Sequence, residues 1–153
     1  MKLTDLVYSN SPIYLQNLLC SVYGVLEKRK RFSNVFFEYL DWLEASQYWS
    51  EQQIYEYKLK ELQKIYQHAY TTVPYYREKY KKAGLSLNLI QELEDAKKIP
   101  ILEKGEIREH WKEMVSQNHQ QGKLYPRQTS GSSGMALDFY ATQRSTSFQW
   151  ALW

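Results

Sequence analysis

The sequence predicts an α+β fold, in which a mostly helical region at residues 1–117 precedes a β-hairpin and a further helix at residues 118–153. Up to about residue 115, apolar residues recur at spacings of three and four, which is the period of a helix with one buried face. After Gly122 the spacing becomes two, as in a strand. A stretch rich in glycine and serine separates the two alternating segments, which is typical of a turn between paired strands.

The helical region is divided by residues that are typical of helix ends. Ser11 and Pro12 fit a cap and a first helical position, and this helix is expected to end near Lys28. Residues 32–49 predict a second helix from their apolar spacing. Ser50 is the predicted cap of a third helix. The apolar face of that helix comprises Tyr55, Leu59, Leu62, Tyr66, Ala69 and Val73.

Pro74 is expected to end the third helix. Residues 75–83 predict a short helix closed by Gly84, at a position where a left-handed backbone is favoured. Residues 85–115 predict further short helices that are interrupted at Pro100.

The last part of the chain combines a hairpin with an aromatic helix. Residues 118–122 predict a loop, and 123–129 and 136–141 predict the two strands. Thr142 is the expected cap of a final helix that is strongly apolar up to Trp153. An isolated hairpin and an uncovered aromatic stripe are both marginal in water, so we expect a downstream part of the protein or an oligomer partner to cover this apolar end.

Charge and cysteine content exclude several classes of protein. The net charge of +3 is too small for a dedicated nucleic-acid-binding protein, so no nucleic-acid partner is predicted. Cys20 is the sole cysteine, which excludes an intrachain disulfide and indicates a reducing compartment. The N-terminal stretch does not have the charge pattern of a signal peptide, so we expect a cytoplasmic location. The uncharged stretch 13–26 is too short to span a bilayer, so no transmembrane segment is predicted. The basic run Lys28–Arg31 fits either a solvated helix end or a peripheral contact with anionic lipid.

The histidines do not predict a metal site, because His68, His110 and His119 share no ligand spacing. No catalytic residue and no metal ligand is assigned from the sequence. The stretch 129–134 is a better candidate for a binding site. Its glycines permit positive φ and close approach of the backbone, and its hydroxyls add small hydrogen-bond donors for an anion. Composition alone favours a plain turn here, and the stretch lacks the lysine of a Walker loop.

The motif "TSGSSG" at 129–134 resembles the phosphate-binding motif of the adenylate-forming enzymes, the superfamily of acyl-CoA synthetases and related ligases. Two upstream segments, "VPYYREKYKKAGL" at 73–85 and "LEDAKKIPILEKGEIREHW" at 93–111, are similar to those of one branch. That branch is the phenylacetate-CoA ligase family with its CapK-like relatives of capsular polysaccharide biosynthesis. The three segments occur in the family's order and span about half of the chain.

This resemblance implies an ATP-dependent ligase that activates a small carboxylic acid. In such enzymes the carboxylate attacks the α-phosphorus of ATP to give an acyl-adenylate, and a nucleophile such as the thiol of coenzyme A then takes the acyl group. The implied cofactors are ATP and Mg²⁺, with coenzyme A as a candidate acceptor. The residues carried over as the phosphate-binding site are Thr129, Ser130, Gly131, Ser132, Ser133 and Gly134.

The chain departs from the superfamily after this motif. Many members continue with Gly-x-Pro-Lys, whereas Met135 to Asp138 follow here, and an inward-facing Asp138 would repel a triphosphate. The adenine-binding loop, the ribose-binding acid and the lysine-bearing C-terminal domain come later in those enzymes. We therefore expect 118–153 to be the truncated start of the AMP-binding domain, and the chain alone to be an inactive N-terminal fragment.

Two functions stay open at this point. The first is the N-terminal portion of a carboxylate-activating ligase, with either an aryl acid or an acyl group for cell-surface polysaccharide as its substrate. The second is a helical interaction or membrane-surface module that binds no nucleotide.

Overall fold

The computed structural model describes residues 11–119, 124–131 and 136–153, and of Lys30 only the backbone. In chain order these residues form α1 (Ile13–Arg31), α2 (Asn34–Ser46), α3 (Glu51–Thr72), α4 (Pro74–Lys82), a 3-10 helix (Leu93–Lys98), α5 (Lys104–His110), β1 (Tyr125–Gln128), β2 (Asp138–Ala141) and α6 (Gln143–Leu152). The predicted α+β class is confirmed, since helices predominate and the described strands form an antiparallel pair. Within the described ranges, no helix combines the length and the apolar character needed to cross a membrane.

The chain divides into two compact units, and the first comprises Met1–Glu44 with Gln143–Trp153. Its centre is the contact between α2 and α6, where the ring of Phe148 lies 5.0 Å from that of Tyr39 in an edge-on arrangement. Ser147 is fully buried beside Phe148, and its hydroxyl lies 3.4 Å from that of Ser33.

We expected the aromatic end of α6 to have no packing partners within the chain, and this expectation is wrong in part. Phe148 packs against α2, and the guanidinium of Arg31 lies 4.7 Å from the ring centre of Trp150. Trp153 does remain 93% exposed. The first turn of α6 is held by Arg144, whose Nε donates a hydrogen bond of 2.7 Å to the hydroxyl of Tyr39.

The second unit, Ala45–Thr142, is organised around tyrosine rings. Tyr66 of α3 is 2% exposed and stacks on Tyr80 of α4, with 5.1 Å between ring centres and 17° between the planes. Ile90 completes this buried cluster. The hydroxyl of Tyr66 donates a hydrogen bond of 2.8 Å to the carbonyl of Ser86, so its polar end is satisfied at the edge of the core.

Local signals placed some helix ends correctly. Ser50 caps α3, because its hydroxyl accepts from the N–H of Gln53 at 3.3 Å while the Gln53 side chain accepts from the N–H of Ser50 at 2.9 Å. Gly84 follows α4 with φ at +70°, as predicted for a left-handed closing residue. Pro74 occupies the first turn of α4, where its missing N–H costs no helical hydrogen bond.

Other helix ends were predicted wrongly. Pro12, not Ser11, is the N-cap of α1, and no side-chain hydrogen bond caps that helix. The helix continues to Arg31 rather than ending near Lys28, because nothing in the basic run breaks a helix. α2 covers Asn34–Ser46, which is shorter at both ends than the predicted 32–49.

The hairpin is shorter than the predicted strands. β1 and β2 pair in antiparallel register from Tyr125 opposite Ala141 to Gln128 opposite Asp138. Most of their residues are exposed, and the described hydrogen bonding continues past the strands into the turn. Much of the predicted loop at 118–122 and the first residue of the predicted strand lie outside the described residues.

Candidate functional site

The hairpin turn, residues 129–137, is closed by reciprocal hydrogen bonds at its base. The N–H of Thr129 donates to the carbonyl of Leu137 at 3.0 Å, and the N–H of Leu137 donates to the hydroxyl of Thr129 at 2.9 Å. A hydroxyl has one donor proton and two acceptor lone pairs. The hydroxyl oxygen of Thr129 therefore stabilises the turn by accepting from Leu137. The proton of the same hydroxyl stays able to donate to a bound anion.

Gly131 is needed at its position for two independent reasons. Its φ is +66°, in the left-handed region that side chains rarely adopt. A Cβ built on it would lie 3.1 Å from the backbone nitrogen of Ala136 and 3.4 Å from its Cα. A side chain at position 131 would therefore be in tight contact with the opposite limb of the turn, and Ala136 would have to move by a few tenths of an ångström. The positive φ agrees with the backbone conformation predicted for Gly131, and close approach to a ligand stays a prediction.

The predicted phosphate-binding residues are only partly within the described chain. Thr129 and Ser130 are exposed, and Gly131 is half-buried. Ser132, Ser133 and Gly134 lie outside the described residues. The structure thus brings the first half of the predicted site onto one exposed turn, and phosphate binding by it stays a prediction.

Asp138, whose direction the sequence left open, lies at the first position of β2. Its Oδ1 accepts a hydrogen bond of 3.1 Å from the side-chain amide of Gln128, its partner across the hairpin. Asp138 also lines a cavity of the second unit. The carboxylate is therefore held at the base of the hairpin turn, beside the Gln128 amide.

The cavity beside the hairpin has a volume of about 510 Å³ and was missed by the sequence analysis. Its walls come from α3, α4, residues 102–119 and the hairpin, and they are mainly apolar and aromatic. Trp111 and Tyr140 meet at this wall with 5.4 Å between ring centres. The spacing of apolar residues at 107, 111, 114 and 115 was a signal for a shared face, but which surface it met depends on tertiary packing.

A polar chain lies on one side of this cavity. The hydroxyl of Thr72 donates to the carbonyl of His68 at 2.7 Å, and that of Ser116 donates to Thr72 at 3.0 Å. With the Thr72 proton used in this way, the Nε2 of His68 at 3.2 Å acts as a donor to the Thr72 oxygen. This arrangement places a proton on the Nε2 of His68.

His119, which also lines the cavity, carries a proton on its other ring nitrogen. Its Nδ1 lies 2.7 Å from the carbonyl of Ser116, which only accepts, so Nδ1 carries the proton. Among the described residues, no group of three or more His, Cys, Asp and Glu side chains is arranged to hold a metal ion.

Three side chains, here called the Lys79 cluster, join α4 to α5. The ammonium of Lys79 lies 2.6 and 2.7 Å from the two carboxylate oxygens of Glu106, and the hydroxyl of Tyr75 donates to the same carboxylate at 2.6 Å. Hydrogen bonding by the N–H of Glu103, then by Lys79 and Tyr75, lowers the pKa of Glu106 to about 2. Burial, reinforced by that hydrogen bond, raises the pKa of Tyr75 to about 12.

The Lys79 cluster gives a structural role to the two upstream segments that resemble the ligase family. Tyr75 and Lys79 belong to the segment at 73–85, and Glu106 belongs to the segment at 93–111. Their contact fixes α5, which supplies Ile107 to the wall of the cavity. These residues therefore link α4 to a helix that forms part of the cavity wall.

Comparison with known proteins gives one distant likeness. No family model matches the chain. Protein CapK of Staphylococcus aureus is 25% identical over 134 residues, which is 88% of this chain and 28% of that protein. The chain thus spans little more than a quarter of the length of the curated relative it matches. This likeness hints at a CapK-like relationship and is compatible with a piece of a larger protein.

Proposed function

We propose that this chain is the N-terminal portion of an ATP-dependent carboxylate-activating ligase, in which the turn 129–134 holds the phosphates of the nucleotide. The observation that carries the proposal is the geometry at Gly131, where a positive φ coincides with a backbone approach that a Cβ would fill. The distant likeness to Protein CapK and the resemblance of three sequence segments to adenylate-forming enzymes support the same function.

The residues of the turn fit a phosphate group in their chemistry. Backbone amides near a left-handed glycine can converge on an anion, and each hydrogen bond to a charged oxygen contributes about 1.5–3 kcal/mol. Thr129 and Ser130 would add hydroxyl donors, and Ser132, Ser133 and Gly134 join them through the family resemblance. ATP with Mg²⁺ would supply the electrophilic phosphorus that activates a carboxylate, and this chain's part is to bind and orient the phosphates.

The substrate and the acceptor follow from the family resemblance. The CapK-like branch favours an acyl group that is used in cell-surface polysaccharide biosynthesis, and coenzyme A is the candidate acceptor. The groups that hold adenine and ribose, and the catalytic lysine, follow this region in the family. We therefore propose that the 153-residue chain binds nucleotide phosphates but does not support carboxylate-dependent exchange of pyrophosphate into ATP.

The backbone amides of Ser130 and Gly131 provide the test. Their ¹H–¹⁵N NMR signals should shift when ATP with Mg²⁺ is added to the 153-residue chain, and the signal of Gly84 should not. Adenosine, which has no phosphate, should leave all three signals unchanged. Saturating shifts confined to the turn support the proposal. An unchanged turn at millimolar ATP would instead favour the second candidate, a helical module that binds no nucleotide.

A further inference from the structure

Helix α1 of the first unit exposes an apolar face to solvent. At the helical period of 3.6 residues, its large apolar side chains other than Ile13 fall on about half of the circumference. Leu18, Val22 and Val25 lie within that half and are 58%, 50% and 53% exposed. Tyr14 and Tyr23 lie at its two borders and are 77% and 64% exposed. The apolar half is therefore a continuous exposed surface.

The packing of α1 is the reverse of an ordinary surface helix, which buries its apolar stripe. Among the positions of α1 whose side chains are described, the half-buried ones are Gln16 and Glu27, both polar and on the opposite half. The helix contacts α6 within its unit, and Arg31 lies over Trp150 of that helix. α1 thus presents its leucines and valines outwards, and its half-buried side chains are polar.

Basic residues lie at the C-terminal end of this apolar face. Leu18, Val22, Val25 and Arg29 form one stripe at steps of four, three and four, so Arg29 extends the apolar line. Lys28 and Arg29 are both exposed, within a run of four consecutive basic residues. Glu27 is the one acidic residue in the sequence of α1. An occupant of this face must therefore combine an apolar interior with anionic groups at its boundary.

We propose that α1 binds in the plane of an anionic lipid surface. The apolar half enters the boundary between headgroups and acyl chains, and the two tyrosines lie at headgroup level, where their rings and hydroxyls find apolar and polar surroundings. Lys28 and Arg29 contact the anionic headgroups, to which juxtamembrane basic residues are attracted. This binding does not depend on the hairpin turn and goes beyond the proposed ligase function.

Vesicle co-sedimentation of the 153-residue chain tests this proposal. We expect binding to mixed phosphatidylcholine and phosphatidylglycerol vesicles, little binding to phosphatidylcholine alone, and a decrease as salt is raised. Leu18→Glu with Val22→Glu places two carboxylates on the apolar half and should reduce the bound fraction severalfold. Asn17→Glu with Ser21→Glu is the matched control, because it adds the same charges at the same spacing on the opposite half.

A second variant separates charge from apolar contact. Lys28→Gln with Arg29→Gln should weaken binding to the mixed vesicles and flatten its salt dependence, and circular dichroism should show unchanged helix content in every variant. The proposal is overturned if wild type does not sediment with mixed vesicles, or if both carboxylate pairs reduce binding equally. It is also overturned if wild type is a dimer that Leu18→Glu with Val22→Glu makes monomeric without any lipid binding, since a second copy would then cover the face.

Discussion

Lys79 and Glu106 form a two-pronged ion pair between α4 and α5, with the ammonium 2.6 and 2.7 Å from the two carboxylate oxygens. The same ammonium donates to the carbonyl of Ile101 at 2.9 Å, and the side chain of Lys79 is only 17% exposed. This contact joins residues 27 positions apart in the chain and holds the loop before α5 as well as the helix. It is the best-defined polar link between the two upstream segments that resemble the ligase family.

The first prediction concerns the stability of the second unit in acid. The pKa of Glu106 is lowered from 4.5 to about 2, so its stabilising effect is complete above pH 4.5 and is lost as the pH falls towards 2. Glu106→Gln should lower the urea concentration at the denaturation midpoint at neutral pH. It should also remove the loss of stability that protonation of Glu106 causes in acid. Urea denaturation at a series of pH values measures both effects.

Glu109→Gln is the control for that experiment, because Glu109 is exposed on the same helix. Its pH dependence should match that of wild type. If Glu106→Gln and Glu109→Gln give the same profile, the Lys79 cluster does not stabilise the unit.

The second prediction concerns the tyrosine core. Tyr66→Phe keeps the stacking on Tyr80 but removes the hydrogen bond to Ser86, and should cost about 0.5–1.5 kcal/mol. Tyr66→Ala also leaves a cavity and should cost about 3–5 kcal/mol. Chemical denaturation of the two variants measures this difference. A similar small loss in both would mean that Tyr66 does not form the centre of the unit.

The third prediction compares the two glycines with positive φ. Gly131→Ala and Gly84→Ala both force a side chain into the left-handed region, which costs about 1–2 kcal/mol. A Cβ at Gly84 meets nothing within 4 Å, whereas one at Gly131 meets the backbone of Ala136 at 3.1 Å. Gly131→Ala should therefore be the more damaging, and its effect should appear as shifted amide signals of Thr129 and Leu137. Equal, unlocalised effects would contradict the close approach.

The fourth prediction tests the first unit. Ser147 is fully buried, so Ser147→Leu should overpack the contact around it and cost about 1–3 kcal/mol. Ser145→Leu places the same side chain at an exposed position of α6 and should be tolerated. Tryptophan fluorescence during denaturation measures the loss, because three of the five tryptophans, Trp42, Trp150 and Trp153, lie in this unit. Equal tolerance of the two leucines would show that α6 does not pack at Ser147.

Short-range sequence signals predicted much of the fold, because some helix ends are determined by interactions within a few residues. The Ser50 cap needs only Gln53, and the left-handed backbone at Gly84 follows from its place after a helix. Pro12 shows the limit of such signals. It was predicted as the first helical residue but is the N-cap, since proline is common both before and inside the first turn of a helix. The sequence pattern alone therefore misplaced the start of α1 by a residue.

Features that depend on tertiary packing were not predictable in this way. The cavity combines His68, Trp111 and Tyr140, whose proximity depends on how α3, residues 102–119 and the hairpin pack. The start signal at Ser11 and Pro12 predicted α1 as a helix but not that its apolar half is exposed, because such a signal does not say what a helix face contacts. In the hairpin turn, the positive φ of Gly131 was predicted from its residue type. The acceptor role of Thr129 was not predicted, because it depends on the hydrogen bond from Leu137, eight residues along the chain.

The affinity of the chain for ATP with Mg²⁺, measured by calorimetry, tests the central claim most directly. Ser132→Ala with Ser133→Ala removes two hydroxyl donors from the turn, while Ser86→Ala, at a position remote in sequence, serves as the control. We expect the serine pair to weaken binding about tenfold or more, as the loss of a charge-assisted hydrogen bond requires, and Ser86→Ala to leave it unchanged. Equal affinity for ATP in wild type and both variants, or no measurable affinity in wild type, would contradict a phosphate-binding role for this turn.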